Sequence, residues 1–293
     1  VARLAALLAG FPETVPGATV NRLCGSGLEA IIQGARQIQL GEADIVIAGG
    51  VESMTRAPWV FGKPADGFPS GKMEGFDTSL GWRFPNEKMA ARFPLEQMGE
   101  TAENVAERWK ISREEQDAFA VDSHRRAVMS IQSHAFDNEM VSIEVQSKRG
   151  NVIVNQDEGP REDTTLEKIS QLKPAFRVGG TVTAANSSTL NDGAAIVVLM
   201  SEGAVKASSK TPLARFVTSA TAGVDPRTMG IGPVPATRKA LSRAGWSMHE
   251  IDLIELNEAF AAQSIACIRD LELNPSRVNV NGGSIALGHP LGM

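Results

Sequence analysis

Apolar positions near the start of the chain follow two different periodicities. Residues 18–23 and 44–48 are short apolar runs typical of strands, whereas residues 27–40 carry apolar side chains at helical spacing. Residues 1–10 share that helical spacing, and Gly41 follows the second helical run, as is common at helix C-termini. This order predicts an initial helix and then a strand-helix-strand unit.

A second block of the same kind lies near the end of the chain. Helical spacing over 234–244 and 258–271 alternates with apolar runs at 251–256 and 278–280. The order of elements resembles that of the first block, although the two blocks share little residue identity. We therefore predict an α/β fold with two architecturally similar halves, and duplication is a hypothesis drawn from element order.

The region between the blocks has a different pattern. Residues 58–94 are rich in Gly and Pro and lack a sustained period, which is typical of a long functional loop. Ser112 and Glu115 have the spacing of a capping box and predict a helix start. Residues 60–189 are therefore interpreted as an insertion. Further elements are predicted as helices at 96–108 and 113–133, a strand pair at 141–145 and 152–154, and a buried strand at 194–200.

Composition excludes several classes of protein. Of 293 residues, 42% are hydrophobic and 22% are charged, which suits two globular domains or one large domain with an insertion. With 29 Lys and Arg against 34 Asp and Glu, the net charge is -5, and no basic run stands out, so nucleic acid is not an expected partner. No apolar stretch reaches the ~20 residues that span a bilayer, so no membrane partner is expected.

Cysteine usage indicates a reducing compartment, with the cytoplasm as the expected location. Cys24 and Cys267 are too few for a secreted disulfide framework and lack a metal-binding spacing, so no metal is expected. Tyr is absent, which excludes mechanisms that use a tyrosine acid. Because the chain opens within a helical pattern at Val1, we expect its natural start upstream, where any targeting segment would lie.

Cys24 is a candidate nucleophile because it lies between a predicted strand and a predicted helix. A thiol at a helix N-terminus is near the positive end of the helix dipole, which favours the reactive thiolate. Gly25 and Gly27 allow a sharp turn and the close approach of a substrate. A small buried cysteine among glycines is the structural alternative. A phosphate-binding loop is disfavoured, because neither Gly-Lys-Ser/Thr nor a complete Gly-x-Gly-x-x-Gly follows.

Asn257 and His289 are the candidate partners of this thiol. Asn257 directly follows the predicted strand 251–256, at the sheet edge where α/β proteins bind ligands, although it would also serve as a helix N-cap. His289 lies among four glycines and a proline, a pattern that predicts a rigid loop presenting an imidazole. The remaining histidines are interpreted as surface residues; they are His124, His134 and His249.

Four segments of the sequence resemble the thiolase family. They are 21–27, 49–54, 257–260 and 281–292, in the family's order, and the resemblance extends over essentially the whole chain. It implies two similar α/β halves that form a layered α-β-α-β-α core, with a lid domain inserted in the first half. The implied boundaries are 1–59 with 190–211 for the N-terminal half, 60–189 for the lid and 212–293 for the C-terminal half.

The resemblance also implies an acyltransferase that works by a ping-pong reaction through an acyl-cysteine. Cys24 matches the nucleophile, and His289 matches the histidine that activates the thiol and helps bind the thioester oxygen. Asn257 matches the residue that holds a water in the same oxyanion pocket. The family's second catalytic cysteine would fall beyond Met293, and we expect ~60 residues to be missing in front and ~45 behind. Cys267 lacks the flanking glycines and is interpreted as structural.

CoA thioesters are the implied partners, with CoA or acyl-CoA as a substrate and neither a covalently bound cofactor nor a metal. Ser188 matches a serine that contacts the pantetheine arm, and Arg161 matches a lid arginine near the nucleotide end. The positions that match the lining of the pantetheine tunnel are Met98, Ala259 and Phe260. Turn capping, core packing and a solvated surface arginine are the structural alternatives.

Subfamily features favour a degradative 3-oxoacyl-CoA thiolase, with 3-oxoadipyl-CoA as the leading substrate. Residues 78–84 resemble the 3-oxoadipyl-CoA thiolases of aromatic degradation, and Arg83 or Lys88 offers a cation for a dicarboxylic acyl chain. Gln97 and Thr189 replace the His and Gly that are frequent in acetoacetyl-type thiolases.

Three alternatives remain open from the sequence. A biosynthetic acetoacetyl-CoA thiolase is the nearest of them. A non-catalytic acyl-CoA-binding protein with this fold would be expected to lack Cys24, His289 or Asn257, and all three are present. A decarboxylating ketoacyl synthase shares the fold but surrounds its cysteine with different motifs. The resemblance further implies a homodimer or homotetramer.

Overall fold

Helices and short strands alternate along the chain in the computed structural model, which describes residues 1–64, 67–68, 70–148 and 150–293. Residues 65, 66 and 69 of the predicted loop, and residue 149 of the predicted insertion, lie outside the described residues. The helices are α1 (Ala2–Leu8), α2 (Ser26–Gln39), α3 (Glu87–Arg92), α4 (Met98–Arg108), α5 (Arg113–Gln132), α6 (Leu166–Ser170), α7 (Glu202–Ser208), α8 (Pro233–Ala244), α9 (Ala261–Asp270) and α10 (Ser284–Leu287). The strands are β1 (Ile45–Ser53), β2 (Trp59–Phe61), β3 (Gly75–Asp77), β4 (Ile143–Ser147), β5 (Gly150–Val154) and β6 (Asp192–Met200).

Most predicted helices are confirmed, and their starts follow local capping chemistry. The Ser112 side chain accepts a hydrogen bond from the backbone N–H of Glu115, and the Glu115 carboxylate accepts one from the backbone N–H of Ser112. This capping box fixes the start of α5 as predicted. The predicted strand pair is also confirmed, since β4 and β5 form an antiparallel hairpin. The helix predicted over 258–271 begins later, at Ala261 in α9.

The described chain divides into two compact units. Unit 1 comprises Val1–Arg56, Leu190–Ser219 and Pro290–Met293, and unit 2 comprises Ala57–Thr189 and Ala220–His289. The division into two halves and a lid at residues 60–189 stays a prediction.

Unit 1 is built on the antiparallel pair β1 and β6. Helix α2 lies on one face of this pair, close enough that a Cβ added at Gly34 would lie 2.9 Å from side-chain carbons of Val46 and Leu199. The opposite face is open within unit 1, where the Ile196 side chain is 70% exposed. The prediction that 194–200 is a buried strand is therefore wrong over most of its length, because residues 194–198 are all exposed and only residues 199 and 200 are half-buried.

Unit 2 packs helices around two apolar clusters. The larger joins α4, α8 and α9, and its buried residues are Val105, Ile111, Ile231, Val234, Ala266, Cys267, Leu271, Leu273 and Val278. The smaller joins α5, α6, α9 and α10 through Ala120, Ile169, Ala261 and Ile285. Since α10 is a single short helix, its position depends on this packing rather than on helix propensity.

Two strands predicted for unit 2, at 251–256 and 278–280, are wrong. The segments form only a single parallel bridge, between Ile254 and Val278. Beyond it, the Asn279 side chain donates to the Leu256 carbonyl over 2.7 Å and accepts from the Leu256 N–H over 2.8 Å. Asn279 itself has a φ of 48°, which turns the chain out of an extended path. A side chain thus replaces the second strand next to Asn257.

Helices long and apolar enough to cross a membrane are not found among the residues that the structure describes.

Candidate active site

Cys24 lies on a tight turn immediately before α2. Leu23 has a φ of 48°, an uncommon conformation for a residue with a branched side chain, and residues Leu23–Gly25 form one turn of 3-10 helix. The Asn21 side chain accepts from the Leu23 N–H over 2.8 Å, and the Ser26 hydroxyl donates to the Leu23 carbonyl over 2.6 Å. These local bonds replace the strand predicted at 18–23, and they present Cys24 as an exposed residue.

The electrostatic surroundings of Cys24 differ from the prediction. Partial desolvation of the sulfur raises the pKa of the Cys24 thiol above its ordinary value of 9.0, and the negative charge of Glu52 raises it further. A backbone hydrogen bond at Cys24 acts in the opposite direction but is a smaller effect than desolvation. The expectation that position alone favours the thiolate is therefore wrong. The thiol needs a base if it is to react near neutral pH.

The last four residues of the chain pack closely against the turn that carries Cys24. A Cβ added at Gly27 would overlap the carbonyl group of Met293, and one added at Gly50 would overlap that of Gly292. Both glycines are therefore required for the close approach of this backbone segment. Because Pro290–Met293 belongs to unit 1, the chain enters this unit directly after His289.

His289 and Asn257 lie together in unit 2. His289 is 8% exposed, and the Asn257 Nδ2 donates to its Nε2 over 3.2 Å. Burial lowers the pKa of the His289 imidazole below its ordinary value of 6.5, so the ring is neutral near pH 7. A neutral ring whose Nε2 accepts a hydrogen bond has its proton on Nδ1, so Nε2 is the basic site and Asn257 occupies its lone pair until a proton is taken up.

A relay of hydrogen bonds fixes the orientation of Asn257. The backbone N–H of Glu258 donates to the Ser284 hydroxyl over 3.2 Å, and that hydroxyl donates to Oδ1 of Asn257. With Oδ1 satisfied by Ser284, the Nδ2 of Asn257 points to His289. Asn257 is not an N-cap, since α9 begins at Ala261. The functional interpretation of Asn257 therefore has a geometric basis that the structural alternative lacks.

Three of the predicted CoA-binding residues lie at one junction in unit 2. The Ser188 N–H donates to the Ala259 carbonyl over 3.0 Å, and Ser187 forms an antiparallel bridge with Phe260. Phe176 packs against the Phe260 ring at 6.1 Å between centroids and lies so close to Gly99 that a Cβ there would overlap its ring. Gly99 follows the exposed residue Met98 at the start of α4, so Phe176 links the Met98 region to this junction.

Arg161 is held at a different place in unit 2. Its backbone N–H donates to Nδ1 of His124 over 3.2 Å. His124 is buried on α5, so its interpretation as a surface residue is wrong. The polar ring is accommodated there because Arg161 supplies a donor. Burial lowers the pKa of His124, and the Arg161 charge lowers it further.

Sequence reasoning missed several residues of this site. Ser123, Ser284 and Asn279 contact the catalytic candidates or their neighbours, but small polar residues carry no distinctive sequence signal. Glu258 could have been found from the sequence. An acidic residue between apolar positions predicts a buried carboxylate whose oxygens accept hydrogen bonds. Glu52 lies within a recognised motif, yet its effect on Cys24 depends on folding.

Within residues 1–64, 67–68, 70–148 and 150–293, no group of three or more His, Cys, Asp and Glu side chains could hold a metal ion.

Comparisons with known proteins agree with this arrangement. The thiolase N-terminal domain family matches residues 1–203, and the thiolase C-terminal domain family matches residues 210–293. The chain is 54% identical to the 3-oxoadipyl-CoA/3-oxo-5,6-dehydrosuberyl-CoA thiolase of Escherichia coli K12, over all of this chain and 74% of that protein. It is 51% identical to the beta-ketoadipyl-CoA thiolase of Pseudomonas aeruginosa, over all of this chain and 73% of that protein.

A solved structure extends the agreement to the fold. The crystal structure of the Bacillus anthracis acetyl-CoA acetyltransferase matches with a TM-score of 0.90 and 46% identity, over 99% of this chain and 72% of that one. The predicted α/β, thiolase-like fold is thereby confirmed. The chain belongs to the thiolase family, and its predicted class, an acyltransferase, is confirmed with it.

Replacement of Glu52 by Gln is expected to lower the pKa of the Cys24 thiol. Removal of a nearby negative charge favours the thiolate, so alkylation of Cys24 by iodoacetamide should become faster at pH 7 to 8, by about 2- to 10-fold. The alkylation rates of wild type and Glu52→Gln should become equal above the pKa of the wild-type thiol. Glu42→Gln, an exposed charge removed elsewhere in unit 1, is the control. An identical pH profile for wild type and Glu52→Gln would contradict the role assigned to Glu52.

Proposed function

We propose that the chain catalyses acyl transfer between 3-oxoacyl-CoA and CoA through an acyl-Cys24 intermediate, with 3-oxoadipyl-CoA as its substrate. The names of the E. coli and P. aeruginosa relatives support this substrate, at 54% and 51% identity over the whole chain. The reaction cleaves the substrate to acetyl-CoA and a shortened acyl-CoA, and its reverse is a Claisen condensation.

The first half-reaction breaks a carbon-carbon bond. His289 Nε2 takes the proton of the Cys24 thiol, and the thiolate attacks the C3 carbonyl carbon of the substrate. The C2–C3 bond then breaks, and its electron pair leaves on acetyl-CoA as an enolate, which is protonated at C2. With 3-oxoadipyl-CoA, a succinyl group remains on Cys24. In the thiolases that the sequence resembles, a second cysteine supplies the proton on C2.

The second half-reaction restores the enzyme. The thiol of free CoA attacks the thioester on Cys24, the new acyl-CoA forms, and the Cys24 sulfur leaves with a proton. In both halves negative charge develops on a carbonyl oxygen, where the Asn257 amide and the protonated His289 would be donors. Cys267 takes no part, because burial raises the pKa of its thiol to about 12 and its Sγ donates to the Gly230 carbonyl.

The observation that carries this proposal is the hydrogen-bonded pair of His289 and Asn257, which Ser284 holds in place. The Cys24 thiol has a raised pKa and needs a base, and the His289 imidazole, whose pKa is lowered, is neutral near pH 7 and can act as that base by exchanging the Asn257 hydrogen bond at Nε2 for a proton.

CoA thioesters are the proposed partners. The junction of Ser188, Ala259 and Phe260 supports pantetheine binding, because it offers a hydroxyl and an aromatic face at the start of α9, one residue from the Asn257-Glu258 pair. Met98 and Phe176 extend its apolar side. The exposed Arg161 is proposed for the phosphate-rich nucleotide end, where a fixed cation offsets negative charge.

A cation is needed for the free carboxylate of 3-oxoadipyl-CoA. Arg83 and Lys88 are exposed in the predicted lid, and the Arg83 guanidinium makes one weak bond, to the Gly81 carbonyl at 3.4 Å. The second candidate function is acetoacetyl-CoA thiolysis or synthesis, which the 46% identity to the B. anthracis acetyl-CoA acetyltransferase favours. A non-catalytic acyl-CoA-binding role is the least favoured, because Cys24, His289 and Asn257 are all present.

The domain boundaries and the oligomeric state are proposed from the resemblance to the thiolase family. The N-terminal half, the lid at 60–189 and the C-terminal half follow the predicted boundaries, and a homodimer or homotetramer is the proposed assembly. The bacterial sources of the curated relatives support a cytoplasmic location.

Incubation with acetyl-CoA is expected to add one acetyl group to Cys24. Peptide mass spectrometry of the digested protein would locate a mass increase on the peptide that contains Cys24, and addition of free CoA should remove it. Cys24→Ala should abolish labelling, whereas Cys267→Ala should retain it, since the buried Cys267 thiol is not ionised at neutral pH. An unmodified Cys24 in folded protein that binds acetyl-CoA would contradict the catalytic proposal and favour the binding role.

Arg83→Gln is expected to raise the KM for 3-oxoadipyl-CoA by about 3- to 10-fold and to leave the KM for acetoacetyl-CoA unchanged, because only the first substrate carries a terminal carboxylate. Steady-state thiolysis with both substrates provides the measurement. Lys239→Gln, which removes an exposed cation on α8, is the control. A wild-type kcat/KM at least ten times higher for acetoacetyl-CoA than for 3-oxoadipyl-CoA would support the second candidate function instead.

A further inference from the structure

The Glu258 carboxylate is buried between three segments of unit 2. The residue is 2% exposed, and its Oε2 accepts from the Ser123 hydroxyl over 2.6 Å and from the Ile285 N–H over 3.2 Å. Its Oε1 accepts from Nδ2 of Asn279 over 2.8 Å. All of these partners are donors, so the site is built for a carboxylate that carries its charge. Such a group is retained in a core only where its hydrogen bonds are satisfied.

The backbone N–H of Glu258 begins a chain of hydrogen bonds that reaches both catalytic candidates, Asn257 and His289. The Glu258 N–H donates to Ser284, which orients Asn257, which in turn donates to His289. Ser284 begins α10, and Ile285, which donates to the Glu258 carboxylate, is the next residue. Glu258 therefore holds the first turn of α10 by its backbone and its side chain together.

The backbone around the Glu258 carboxylate is closely packed. A Cβ added at Gly283 would overlap the Glu258 carboxylate, and one added at Gly282 would lie 2.6 Å from Cβ of Ala127 on α5. The Ser123 hydroxyl that donates to Glu258 also accepts from the Gly283 N–H over 3.2 Å. Helix α5, which belongs to the predicted lid, is thus fixed to the loop that leads to His289.

We propose that Glu258 is a positioning residue that sets the orientation of Asn257 and His289, with Ser123 of α5 as its hydrogen-bonding partner. His289 lies two residues after the end of α10, so a tilt of α10 moves the imidazole relative to Asn257. Loss of the carboxylate contacts therefore affects the reacting geometry more than the binding of CoA, which the Ser188 junction provides. This role deepens the proposed function and rests on it for its kinetic consequence.

Glu258→Gln in the full chain tests the proposal. A Gln side chain has one acceptor oxygen and one NH2 donor, so it cannot accept from Ser123, Ile285 and Asn279 together. In protein with 15N-labelled histidine, long-range 1H–15N spectra report the tautomer of His289 and the hydrogen bond to its Nε2. We expect the Nε2 resonance of His289 to move in Glu258→Gln, because the Asn257 donor is displaced.

Single-turnover acetylation of Cys24 by acetyl-CoA provides the kinetic readout. Glu258→Gln should slow acetylation by about 100-fold and change the half-saturating acetyl-CoA concentration by less than about 2-fold, as expected for a small displacement of reacting groups. Glu272→Gln, which removes an exposed charge elsewhere in unit 2, is the control and should behave like wild type.

Ser123→Ala is the second variant, because it removes one donor and keeps the Glu258 charge. It should shift the His289 resonance in the same direction and slow acetylation by about 5-fold. If Glu258→Gln does not fold, Ser123→Ala alone tests the positioning role. An unchanged Nε2 resonance in the folded variants, or slowing matched by Glu272→Gln, would overturn the positioning role. If wild type is not acetylated while the resonance moves as expected, the proposed function fails and the positioning of His289 stands.

Discussion

The buried carboxylate of Glu258 is the interaction on which the geometry of the candidate site depends. Burial of an ionised group carries a large desolvation cost, which is offset here by three hydrogen bonds from separate parts of the chain. Burial raises the pKa of Glu258, while the same hydrogen bonds and the charge of Arg126 act against that rise. Because those donors come from α5, from the turn at Asn279 and from α10, the segments are held around one point beside Asn257.

The two reacting groups start in uncharged states, so a proton must pass from Cys24 to its base before the sulfur can attack. Desolvation and Glu52 keep the Cys24 thiol protonated, and burial keeps the His289 imidazole neutral. A preformed thiolate would be more exposed to oxidation and alkylation, whereas a thiol that ionises only against its base is activated when an acyl group is present. The strained backbone at Leu23 and the close packing at Gly27 are consistent with a turn shaped to present the sulfur.

The sequence predicts those features that depend on short spacings. Amphipathic periods locate α2, α4, α5 and α8, and the Ser112 capping box fixes the start of α5. Glycine-flanked motifs identify the Cys24 and His289 segments, since close backbone approach leaves few other residue types possible. The family assignment follows from the order of four such motifs, and it adds the thiolase-like fold to the α/β class that the alternation of elements predicts.

Features that depend on distant partners could not be predicted from spacing. The segment before Asn257 has a strand-like apolar pattern, but the side chain of Asn279 completes its hydrogen bonds in place of a second strand. His124 has a surface-like position on α5, yet Arg161 supplies a donor that permits its burial. The pKa of Cys24 likewise reflects packing and Glu52 rather than the helix that follows.

The most direct test of the account is the pH dependence of Cys24 acetylation in wild type and in His289→Asn. Wild type should acetylate rapidly and reach a plateau by about pH 7, because a base with a lowered pKa is already neutral there. His289→Asn should be slower by about 1,000-fold at pH 7 and should gain about tenfold per pH unit, since its thiol must ionise unaided. Equal rates and equal pH profiles in the two proteins would contradict the account.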